Sequence, residues 1–152
     1  MDAVRPYLYI GTLRETLDLP LLQRENIGAM LQLCRRVEQP GIAVHFLNID
    51  DGVPLDADVL REGVRFIREQ KALGKTVLSA CGAGISRSVT FAIATLKEEE
   101  GLPLLSAYRQ IVQVRPDARP HPALWQSLCA AYGESVPLIE MVKVSRPPMP
   151  KP

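Results

Sequence analysis

The chain has 152 residues, 47% of them hydrophobic and 23% charged, with a formal net charge of +1. This is ordinary composition for one globular domain with a substantial core. The balanced charge argues against a general polyanion binder, no apolar run is long enough to span a bilayer, and the opening M-D-A-V-R-P lacks the apolar core of a signal peptide. Three scattered cysteines suit a reducing compartment better than a disulfide framework. The expectation is a cytoplasmic protein with neither a nucleic acid nor a membrane as partner.

Residues 7–10, Y-L-Y-I before Gly11, predict a first strand. Asp18 can cap a short helix through Leu21 and Leu22, ended by Asn26 and Gly28. Residues 29–33 read as a second strand, 35–41 as a loop containing Pro40, and 44–49 as a third strand. After an acidic loop at 50–54, Asp56 or Asp58 can cap a helix to about Leu73, with Leu60, Val64 and Ile67 at helical spacing. Residues 77–80 read as a fourth strand. A strand, a helix and a strand in that order make the strands at 44–49 and 77–80 parallel. Their C-terminal ends then share the sheet edge at which open α/β folds bind ligands.

The helix expected at 86–96 is apolar nearly all round and should be buried. Glu98, Glu99, Glu100 and Gly101 end it, and the acids, opposed to the helix dipole, read as a solvated end. Pro103 suits the first turn of a helix running through Val114, 115–122 is a loop, and 123–132 is a last helix. The expected fold is a three-layer α/β domain at 1–133, with a twisted, mostly parallel sheet and helices on both faces. A proline-rich extension occupies 134–152. Within it, 136–144 is apolar enough to pack on the domain or a partner, and the final R-P-P-M-P-K-P should be polyproline-like.

Residues 77–88 read V-L-S-A-C-G-A-G-I-S-R-S. Strand, glycine-bearing loop and helix start together make an anion site: loop N–H groups converge, and the helix N-terminus adds donors and a favourable dipole. Gly82, Ala83, Gly84, Ile85 and Ser86 form the loop, and Gly82 and Gly84 permit a close backbone approach. A cysteine facing such a field should be favoured as its thiolate, which makes Cys81 the candidate nucleophile. Arg87 adds a planar fork able to grip two oxygens of a phosphate.

The spacing Cys81, five residues, Arg87, Ser88, with the A-G-I-S-R-S wording and P-Y-L-Y-I-G near the start, resembles the cysteine-dependent protein tyrosine phosphatase superfamily in its dual-specificity branch. The resemblance covers about residues 5–132. It implies hydrolysis of phosphotyrosine, with phosphoserine and phosphothreonine in second place, on a phosphorylated protein or peptide through a phosphocysteine. Cys81 would be the nucleophile, residues 82–87 the phosphate-binding loop, Arg87 the clamp, and Ser88 the hydroxyl that steadies the departing thiolate. No cofactor or metal is implied. A carboxyl on a neighbouring loop would be the general acid. Asp51 is favoured, because with Leu47 and Ile49 facing the core the family's alternation ends on it, and Asp50 remains the alternative.

Two departures stand out. Ala80 replaces the histidine that usually precedes the nucleophile, and Pro120-His121-Pro122-Ala123-Leu124 stands where Pro-Asn followed by Gly-Phe is usual. The rival readings are a phosphopeptide-binding module without turnover and a phosphatase of a small metabolite or an RNA 5′ end. Elsewhere, His121 reads as a loop-surface or rim residue, His45 as structural, Cys34 as a buried thiol near the catalytic edge, and Cys129 and Trp125 as core. Arg115 and Arg119 are candidates for meeting acidic or phosphorylated substrate.

Overall fold

The computed structural model describes residues 1–145. Five strands, β1 (Asp2–Arg5), β2 (Leu8–Thr12), β3 (Ile27–Gln32), β4 (Ala43–Phe46) and β5 (Thr76–Cys81), form one sheet in the order β1-β2-β5-β3-β4. The β1–β2 pair is antiparallel and the others are parallel. The helices are α1 (Leu13–Thr16), α2 (Leu19–Arg24), α3 (Ala57–Ala72), α4 (Arg87–Glu100), α5 (Leu104–Val114), α6 (Pro122–Tyr132) and α7 (Leu138–Ser145).

Strand alternation divides the molecule into layers. On β5, Val77 and Cys81 face the larger core, which Phe91, Ile93, Tyr108, Ile111 and Trp125 help to fill. Leu78 and Ala80 face the smaller one, with Leu22 of α2 and Met30 of β3. The helices therefore lie on both faces, unequally. Every residue of α4 from Ser88 to Leu96 is buried, as its all-round apolar pattern requires. Gly63 lets α3 approach it closely, since a Cβ there would run into the Phe91 ring.

Several elements depart from expectation. β1 and α1 were not foreseen, although α1 carries a full capping box: the Glu15 amide donates to Thr12 Oγ1 and the Thr12 amide to Glu15 Oε1. β4 ends at Phe46 rather than at 49, but the chain stays beside β3, with the Leu47 amide donating to the Gln32 carbonyl at 2.9 Å. The acidic end of α4 is an ion-pair network and not a solvated end. Arg68 and Lys71 of α3 reach Glu99 at 2.6 and 2.5 Å, and Arg5 reaches Glu100 at 2.7 Å. Those cations offset the unfavourable meeting of acids with the helix C-terminus. Residues 138–145 form α7, whose Met141 is buried in the larger core. The R-P-P-M-P-K-P segment at 146–152, read as polyproline-like, lies outside the described residues.

Candidate active site

Cys81 is the last residue of the central strand, and Ser86 occupies the N-cap position of α4. The intervening loop holds its carbonyls away from the space between them. The Gly82 carbonyl accepts from the Leu13 amide at 3.4 Å, those of Ala83 and Gly84 from the Arg115 guanidinium, and that of Ile85 from the Arg119 amide at 2.8 Å. The N–H groups of residues 82–86 find no protein acceptor among the described residues. Carbonyls satisfied from outside and amides left free on the inside make a backbone nest for an anion. Gly84 has φ 66°, in the left-handed region open to glycine.

Cys81 Sγ is buried and lies 3.2 Å from Ser88 Oγ, itself on the first turn of α4. Arg87 donates through Nη1 to the Ile49 carbonyl at 3.1 Å and so ties the start of α4 to the chain that leads into the acidic loop. Ser86 is a junction of three segments. Its hydroxyl donates to Asp51 Oδ1 at 2.6 Å and accepts from the His121 amide at 2.7 Å.

These side chains surround a pocket of about 430 Å³. Cys81, Arg87 and Ser86 line it together with Asp51, and Ala83, Ile85, Arg119 and the stretch 120–122 complete the wall. Asp50 lines a different groove, with Leu47, Val53 and Val59. The two aspartates are thus separated: one opens onto the space above Cys81 and the other faces away from it.

Other residues singled out in the sequence fall as follows. His121 lines the pocket, its Nδ1 accepts the Ala123 amide at 3.0 Å, and its Nε2 lies beside Gly52. His45 stacks on Phe66 and pairs with Glu62 at 3.1 Å. Trp125 is fully buried, and Cys129 is half-buried against the same core. Cys34 is half-buried near the site. Burial pushes its thiol up, while the Arg87 guanidinium pulls it back down. Arg115 is turned inward onto the loop and does not line the pocket, whereas Arg119 is exposed at the pocket rim. The Ser86 junction and the inward turn of Arg115 were missed, since both depend on segments distant in sequence. Among the described residues no group of three or more His, Cys, Asp or Glu side chains is placed to hold a metal, and no helix is long and apolar enough to cross a membrane.

The model of the family "Dual specificity phosphatase, catalytic domain" matches residues 8–134. Dual specificity protein phosphatase 16 of Homo sapiens is 34% identical over 123 residues, a stretch covering 78% of this chain and 18% of that protein. The chain spans 18% to 33% of the length of the first curated relatives it matches. Among solved structures, human DUSP28 superposes with a TM-score of 0.82 at 24% identity, covering 88% of this chain and 96% of that one. DUSP15 gives 0.81 at 26% identity, covering 93% and 92%. With the strand–loop–helix nest, the cysteine and the arginine all inside the matched residues, the chain belongs to the dual-specificity phosphatase catalytic-domain family.

Proposed function

We propose that the chain hydrolyses phosphate monoesters of proteins, phosphotyrosine first and phosphoserine or phosphothreonine second, through a phosphocysteine. The reading rests on one convergence: the Cys81 sulfur, the unpaired loop amides and the Asp51 carboxyl all open onto the same pocket. Ile85, Pro120 and Pro122 give that pocket apolar walls suited to an aromatic ring.

In the first step the Cys81 sulfur forms a bond to phosphorus as the bond to the leaving oxygen breaks. Asp51 passes its proton to that oxygen. Loop amides and Arg87 hold the three equatorial oxygens, where charge gathers in the transition state. Water then attacks phosphorus and gives a proton to Asp51. The P–S bond breaks, inorganic phosphate leaves, and the Ser88 hydroxyl donates to the restored thiolate from its place 3.2 Å away.

The test is Cys81→Ser. A serine hydroxyl in this cradle is not ionised, so turnover of an aryl phosphate is expected to fall by at least about 10³-fold while tungstate binding persists. Substantial activity in the purified variant overturns the phosphocysteine route. Ala80 favours a second reading, a phosphopeptide-binding module without turnover, because the usual histidine support beside the loop is missing. Under that reading the parent protein binds tungstate and turns over nothing.

A further inference from the structure

We propose that Arg115 is a positioning residue for the oxyanion cradle, and that Asp2 on β1 holds it in place. The proposal rests on the reading that the loop grips a phosphoryl group. Arg115 follows the last turn of α5, and its side chain is only 14% exposed. Its Nε–H donates to the Gly84 carbonyl at 2.7 Å and its Nη2 to the Ala83 carbonyl at 3.4 Å. Nη1 meets Asp2 Oδ2 at 2.7 Å. All three nitrogens of the fork are engaged, so the planar group has a fixed orientation.

The geometry of a trans peptide gives this contact its consequence. The carbonyl and the following N–H lie in one rigid plane and point in opposite directions. Holding the Ala83 and Gly84 oxygens outward therefore turns the Gly84 and Ile85 N–H groups inward, onto the anion. A cation behind those carbonyls also polarises the two peptides in the sense that strengthens their inner donors. The space around Gly84 is closed on both sides: a Cβ there would sit 2.5 Å from Arg115 Nη2 and 2.6 Å from the Gly11 carbonyl oxygen. Between Arg115 and the carbonyl end of β2 the loop has little room to swing. Arg115 touches no substrate; it acts through the amides that do.

The experiment compares the parent with Arg115→Met, Arg115→Lys and Asp2→Asn. Tungstate affinity is measured by calorimetry, and kcat/KM on two aryl phosphates with good and poor leaving groups. Arg115→Met is expected to weaken tungstate by about 10-fold or more and to lower kcat/KM by a similar factor on both substrates, because the lost grip is on oxygens the two share. Asp2→Asn should do the same more mildly, and Arg115→Lys should recover part of the loss through a single donor. A folded Arg115→Met that binds tungstate within about twofold of the parent overturns the proposal, as does a loss confined to the poor leaving group. If Arg115→Met does not fold, unchanged tungstate affinity in both Asp2→Asn and Arg115→Lys overturns it instead. Tungstate binding needs no turnover, so a parent that binds it but hydrolyses neither substrate refutes the catalytic reading and leaves the brace to be judged on affinity alone. A parent that does not bind tungstate refutes both.

Discussion

Asp50 and Asp51 are chemically identical neighbours with different surroundings; strand alternation favours Asp51 and leaves Asp50 open. Asp51 opens onto the Cys81 pocket and takes a 2.6 Å hydrogen bond from Ser86, while Asp50 lines another groove. If Asp51 supplies the proton, Asp51→Asn should cut kcat by ~10²–10⁴-fold on a substrate with a poor leaving group and much less on one with a good leaving group. Asp50→Asn should leave both substrates near the parent values. Steady-state kinetics on the two substrate types checks this, and the reverse pattern would move the acid by one residue. That Cys81 and Arg87 bracket one loop is legible from the sequence because local spacing creates it. Ser86 is legible only as a loop residue, since its two partners lie on segments the chain reaches far from the loop. Ala80 also gains meaning from its place: its methyl faces the smaller core with Leu78 and Leu22, on the opposite side of β5 from Cys81.

At the scale of elements, α4 joins an apolar body to an acidic end that is unfavourable by itself, and α3 supplies the cations that make it acceptable. The Glu99 carboxyl is held below the usual carboxylate range, first by its hydrogen bond from Lys71 and then by that from Arg68; Arg5 does the same for Glu100. A carboxyl depressed in the folded state contributes stability above its unfolded value of about 4.3, and that contribution fades as pH falls through the depressed value. Glu99→Gln should therefore lower the urea midpoint at neutral pH, with the gap from the parent closing below about pH 4. Exposure of the network keeps the full gap to ~1 kcal/mol or less. Urea titrations of both proteins across that range test the sign. The longer helices and the parallel strands were legible because their periodicity or length was clear. β1 is short and lies at the sheet edge, where pairing with β2 and not hydrophobic alternation defines it. α1 had a readable capping box in T-L-R-E, but four residues give no period to read.

For the whole molecule, the question is where the domain ends. The Leu104 amide donates to Glu134 at 3.1 Å, the Trp125 indole donates to the Val136 carbonyl at 3.3 Å, and Met141 is buried. Ending the chain after Gly133 should cost at least ~2 kcal/mol, from lost Met141 burial and an indole left without its acceptor. Urea denaturation of the shortened chain checks this; unchanged stability would make α7 an appendage. The apolar stretch 136–144 was legible as a packing segment, but apolarity alone did not specify which surface it would cover.

The central position of β5 has a further consequence, for how the molecule acquires its chemistry. Cys81 pairs in register with Thr12, and β5 is flanked by β2 and β3, both from much earlier in the chain. Such distant pairings carry the loop-closure entropy that slows folding, whereas helices form early from local contacts. A chain that has made its helices but not joined β2 to β5 has a cysteine without a finished cradle. The Leu13 amide and Gly11 carbonyl that confine the loop arrive only with that pairing. Recovery of tungstate binding after dilution from urea should therefore report closure of the sheet, since the loop takes its shape only when the slowest part of the topology is complete.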